Sequence, residues 1–189
     1  RQNFILFGMS ALLTLFSYPL IFLFERVFGL VTDVSLIELS DTNNRLLREL
    51  AIKAPGTFHH SIMVSNIAEE AARAVGGNAL LARTGALYHD IGKMDIAQYF
   101  IENQGGGFNP HEELSSEESA GIIISHVILG VEKARAYKLP EALIDFIRTH
   151  HGTRLTRYFY NKHLHDYPGE EINESLFRYK GPKPFSKET

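Results

Sequence analysis

Five histidines and one aspartate restrict this chain more than any other feature. His60, His89, His126, His150 and His151, together with Asp90, all fall on the inward faces of four predicted helices. A helix repeats every 3.6 residues, so positions four and seven apart share a face. His60 lines up with Val64, Ile67, Ala71 and Val75, whereas its neighbour His59 lines up with Met63, Asn66 and Glu70 and is expected to point outward. His89 follows Ala82, Gly85 and Ala86, small residues that let another helix come close. His126 shares its face with Ile122, Ile123 and Leu129, and the pair His150 and His151 is backed by Leu143, Ile144, Phe146 and Ile147. An unpartnered buried polar group costs about 1–3 kcal/mol. Five imidazoles facing one core therefore require a common partner, and divalent metal ions satisfy them all. The fold must bring four helices together around that point.

The punctuation of the sequence supports a helical reading. After "APGT", with Thr57 as the expected cap, a helix is predicted to Val75 and stops at Gly76-Gly77; a second runs from Asn78 to Ile91, with Gly92 as its stop. "NQGGGFNP" (103 to 110) reads as a loop, expected to form a wall or lid of the pocket. Ser115 and Ser116, with Glu118 placed for a capping box, open a helix reaching Tyr137. Pro140 opens one that ends at His151, where Gly152 serves as the cap. Residues 153 to 163 are expected to be helical and the remainder, from Asp166, loop. No strand alternation is sustained and no segment repeats. The fold class is all-α.

Upstream, Phe4 to Phe24 is a run of 21 residues without a charge. About 20 apolar residues span a bilayer core, and Gly8, Ser10, Ser17 and Pro19 are compatible with a spanning helix. The alternative is a buried core helix. Arg1 and Arg26 flank the run almost symmetrically and give no orientation. The expected organisation is a last transmembrane helix at 1–27, a connector at 28–53 and a metal-binding helical domain at 54–189. The connector has turn-like stops at Ser35 and at Asp41 to Asn44, then a short amphipathic helix. With one charge ahead of the run, the chain is expected to be the tail of a larger membrane protein.

Six ligands on one ion would leave no position for water or substrate. Two ions sharing the set, with Asp90 as the bridge, leave several. Imidazole and carboxylate without thiolate suit iron, manganese, zinc or nickel and disfavour calcium and magnesium; the chain has no Cys. Lys and Arg number 19 and Asp and Glu 22, for a net charge of −3, so no general surface for DNA or RNA polymers is implied. Two divalent ions and Asp90 instead leave the centre near +3, a local attraction for a phosphate group. Lys93, just past the helix end, is a candidate catalytic and phosphate-binding residue beside His89 and Asp90. His111, in "NPH", is a candidate substrate-binding or proton-donating residue.

The order His60, His89-Asp90, His126, His150-His151, with "HDIGK" at 89 to 93, resembles the HD superfamily of metal-dependent phosphohydrolases over roughly residues 55 to 155. "APGTFHHS" (54 to 61), "NPHEELSSEESAGIIISHV" (109 to 127) and "GPKP" (181 to 184), after a membrane span, are similar to the seven-transmembrane HD receptors. That resemblance implies a bacterial cell-membrane protein with a cytoplasmic HD domain that hydrolyses cyclic di-AMP to pApA with two iron or manganese ions. It implies attack by a hydroxide bridging the ions, with the 3′-oxygen leaving. By position, His60, His89 and Asp90 would hold one ion, and Asp90, His126, His150 and His151 the other. The family pattern also has an Asp on a helix after the "GPKP" loop, a helix this chain stops short of at Thr189. A cyclic di-GMP phosphodiesterase, another nucleotide phosphohydrolase and a degenerate HD sensor module are the competing readings.

Overall fold

The computed structural model describes residues 2–189, apart from the side chains of Tyr18 and Arg26. Arg1, one of the two flanking charges, lies outside the described residues, and the side chain of the other, Arg26, is likewise not described. Helix α1, Gln2–Phe28, contains the uncharged run. Its large apolar side chains, among them Phe4, Phe7, Leu15 and Phe16, are exposed along its length, which a buried core helix would not be. By length and composition it can cross a membrane.

The remaining described residues form a helical unit with no sheet; the isolated bridge between Leu155 and Arg178 is its closest approach to strand pairing. Helix α2, Asp33–Ser40, runs through Ser35, where a stop was expected. The Thr32 hydroxyl caps the Ser35 N–H, and the Glu25 carboxylate accepts from the Thr32 N–H and from both hydroxyls. Serine's tendency to break helices is thus turned into a helix start. The second stop is where the sequence puts it: Asn44 caps α3, Arg45–Lys53, whose Leu46, Leu47 and Leu50 are buried.

Helix α4, Pro55–Ala74, begins with its proline in the first turn rather than with a Thr57 cap. Thr57 is fully buried inside that turn, with its side chain committed to Glu102 and Asn103. Helix α5, Ala79–Tyr88, ends three residues sooner than predicted, and a 3₁₀ turn, Ile91–Asp95, follows. The reason is contact: a Cβ on Gly92 would overlap the His126 carbonyl oxygen, so the chain has tightened to press its backbone against the next long helix. Further 3₁₀ turns, Ala97–Tyr99, Ile101–Asn103 and Pro110–Glu113, flank residues 104–109, which form a loop as the sequence predicts. Helix α6, Ser116–Ala136, has both hydrogen bonds of the Ser115–Glu118 capping box. Helix α7, Glu141–Thr149, ends two residues sooner than predicted with His150 as its cap, and Gly152, at a φ of 54°, supplies the left-handed turn just beyond. Helix α8, Arg157–Asp166, starts four residues later than predicted, because Thr156 N–H donates to the Phe177 carbonyl and ties its entry to the C-terminal segment. That segment includes a 3₁₀ turn, Glu174–Phe177, and buried Phe177 and Tyr179.

The main core joins Leu36, Leu47, Leu50, Leu87, Tyr88, Ile91, Leu143, Ile144 and Ile147, from α2, α3, α5, the 3₁₀ turn after it and α7. A smaller cluster joins Ala120, Phe159 and Phe177. The Phe146 ring fills the space where Gly85 lacks a side chain, so α5 and α7 approach closely and bring their C-terminal histidines together.

Candidate metal centre

Asp90 sits at the crossing point of four elements. It is 2% exposed and stands between the end of α5 and the 3₁₀ turn after it. Around its Oδ2 lie His89 Nε2 at 3.0 Å and, from α4, His60 Nε2 at 4.0 Å. Around its Oδ1 lie His126 Nε2 of α6 at 3.3 Å and His150 Nε2, from the end of α7, at 3.5 Å. His126 Nε2 and His150 Nε2 are 3.3 Å apart. Donor atoms of His60, His89 and Asp90 lie within 4.8 Å of one another, and so do those of Asp90, His126, His150 and His151. The six expected residues are therefore brought together as two groups that share Asp90, each able to hold an ion. His59 is exposed, as its polar helix face requires.

The hydrogen bonding fixes which ring nitrogens face the centre. His89 Nδ1 is 2.6 Å from the Ala86 carbonyl oxygen, His126 Nδ1 is 2.5 Å from that of Ile123, and His150 Nδ1 is 2.8 Å from that of Ile147. A carbonyl only accepts, so each Nδ1 carries its proton and each Nε2 can present a lone pair. The lone pairs of His126 and His150 point at a carboxylate oxygen, Asp90 Oδ1, that has no hydrogen-bond partner of its own, and that of His89 at Asp90 Oδ2. Lone pairs crowded at 3.0–3.5 Å repel unless a cation lies among them. The donor set fits divalent transition-metal ions.

Electrostatics agree. Burial, with the other imidazoles alongside, pushes the His151 pKa down to about 3 and lowers that of His150. Both rings are neutral at pH 7, the form that binds metal. Burial works against the Asp90 charge, but the neighbouring histidines hold its pKa well below the usual carboxylate range. Burial also opposes protonation of His89, and the Asp90 charge outweighs it, raising the His89 pKa; a proton and a metal ion compete for that position. The His60 side chain is 43% exposed and marks an open side of the centre. His151 stacks on Tyr179, centroids 4.1 Å apart, and lines a cavity of about 560 Å³ between α6 and the C-terminal segment.

Lys93 is not a solvated surface residue. It is 9% exposed, with Nζ 2.8 Å from Asp90 Oδ2 and 2.9 Å from Glu102 Oε1. Burial opposes its charge, but the two carboxylates raise its pKa. His111 is also buried, not on a loop surface. It lies apart from the two Asp90 groups, bonded through Nε2 to the Tyr99 carbonyl and packed between Tyr99 and Phe159. Glu102 and Tyr179 carry no signal of their own in the sequence, and Thr57 reads there only as a helix cap. The 3₁₀ turns around Glu102 have no periodicity to read; the usable signal was that a buried Lys93 needs a second carboxylate nearby.

This chain belongs to the HD domain family, whose model matches residues 57–184. It is 51% identical over 165 residues to the cyclic-di-AMP phosphodiesterase PgpH of Bacillus subtilis (strain 168), covering 87% of this chain and 23% of that protein. It is 48% identical over 166 residues to PgpH of Listeria monocytogenes serotype 1/2a (strain 10403S), covering 88% of this chain and 23% of the relative. The chain thus spans about a quarter of the length of these curated relatives. The crystal structure of the L. monocytogenes PgpH HD domain in complex with cyclic-di-AMP superimposes with a TM-score of 0.74 at 47% identity, covering 78% of this chain and 68% of that one.

Proposed function

We propose that this chain hydrolyses cyclic di-AMP to linear pApA as a metal-dependent phosphodiesterase. One observation carries the reading: two groups of metal-ligating side chains meet at a single carboxylate, Asp90. In this reading His60, His89 and Asp90 hold one ion, and Asp90, His126, His150 and His151 hold the other, with iron or manganese as the ions. Two such ions supply an activated water and positive charge for phosphoryl oxygens. The protein's part is to keep His150 and His151 neutral, to keep Asp90 ionised and to hold His89, His126 and His150 in place through the backbone carbonyls behind them. Lys93 adds positive charge beside Asp90 for a phosphate. The HD residues, 54–189, work on the cytoplasmic side of a bacterial membrane that α1 crosses.

The relatives' names and the ligand in the Listeria structure support cyclic di-AMP over cyclic di-GMP. The test is turnover of both dinucleotides by manganese- and iron-loaded chain, with His89→Ala as control. Cyclic di-AMP should be opened to pApA, and the variant should lose more than about 100-fold in rate, beyond what orienting partners of a ligand usually contribute. Failure of the loaded chain to hydrolyse either dinucleotide would overturn the reading.

A further inference from the structure

We infer that Glu102 is a positioning residue of the centre: its carboxylate holds the Lys93 ammonium beside Asp90 and supplies the counter-charge that lets two ions bind next to it. The inference rests on the two-ion reading above. Glu102 is itself fixed. Thr57 Oγ1 donates to Glu102 Oε1 at 3.1 Å, Thr57 N–H donates to Asn103 Oδ1 at 3.1 Å, and Asn103 Nδ2 donates back to Thr57 Oγ1 at 2.8 Å. Gly56 has no Cβ, and one there would overlap the Glu102 carbonyl. The 3₁₀ turn Ile101–Asn103 is therefore docked on the first turn of α4, one helical turn before His60. The same turn reaches Lys93, whose Nζ lies between Glu102 Oε1 and Asp90 Oδ2, with the Phe100 ring 4.6 Å from it.

Charge explains why the carboxylate matters. Two divalent ions with Asp90 carry +3. A buried ammonium 2.8 Å from Asp90 raises that to +4 and shares the oxygen that one ion needs. Glu102 returns the total to +3 and gives Lys93 a partner that no ion uses. Without it, Lys93 has only Asp90 to bind, and it competes for the metal ligand. Effects of this kind grow in a dry site, where screening by water is weak.

The test is a cycle read by metal affinity rather than turnover: Mn²⁺ binding to the full chain by chelator competition, for wild type, Glu102→Gln, Lys93→Met and both together. Glu102→Gln keeps the shape and removes the charge, and should weaken Mn²⁺ binding about tenfold. In the Lys93→Met background the same change should alter affinity by less than about twofold, because the uncompensated ammonium is gone. Glu102→Asp should keep affinity close to wild type. A loss of equal size in both backgrounds, as expected if Glu102 only braces α4, would overturn the inference, as would no loss at all. A wild-type chain that holds fewer than two ions would instead overturn the reading on which it rests.

Discussion

Asp90 is one carboxylate faced by five side chains: Lys93, His89 and His60 at one oxygen, His126 and His150 at the other. Replacing it by Asn keeps the shape and removes the charge both groups share. On the proposed two-ion reading, Asp90→Asn should bring bound metal, measured by elemental analysis, from about two ions per chain to below one, since both groups would lose their only anionic ligand. The histidines add a dependence on acid. His151 titrates at about 3 in the fold and near the ordinary value of about 6.5 when unfolded. Between those values the unfolded chain binds a proton that the folded chain does not, so stability falls as pH drops through that window. The melting temperature of chelator-treated chain should fall from pH 7 to pH 4, and less steeply in His151→Gln. The inward set of histidines was legible because apolar helix faces identify it. The burial of Lys93 was not, because its second partner lies nine residues away across three tight turns.

Individual elements divide by whether their signals are local. The Ser115–Glu118 capping box and the left-handed turn at Gly152 lie where the sequence puts them, because those hydrogen bonds and backbone angles are set within a few residues. The end of α5 and the start of α8 were misplaced because distant contacts decide them: Gly92 against His126, and Thr156 against Phe177. The same division predicts two kinds of mutant. Gly92→Ala pushes a methyl into the α6 backbone and should cost about 1–3 kcal/mol in denaturant unfolding, with weaker metal binding because His89 and Asp90 move with it. Ser115→Ala should cost about 1 kcal/mol and leave metal binding unchanged, since the cap lies far along α6 from His126.

For the molecule as a whole, the organising fact is that one exposed apolar helix precedes a unit with its own core. The link between them is the Glu25 carboxylate, which joins the end of α1 to the start of α2. Leu36 of α2 is fully buried in the core beside α5, and the Tyr88 hydroxyl, one residue before His89, donates to the Leu39 carbonyl. On expression in bacteria, the chain should sediment with membranes, resist high salt and come into solution with detergent. Removal of residues 1–27 should release it. Recovery of the intact chain in the soluble fraction would count against a spanning α1.

Taken alone, the sequence determined the helical class, the apolar run and the inward set of six residues, because period, caps and the cost of burying an imidazole are all local or additive; their division around Asp90 was implied by the likeness to the HD receptors. The tertiary structure decided what surrounds them. It placed Glu102 against Lys93, Tyr179 against His151 and His111 between Tyr99 and Phe159, outside the two Asp90 groups. Each of those pairings depends on how irregular turns pack on helices remote in the chain, and no repeat in the sequence encodes that packing.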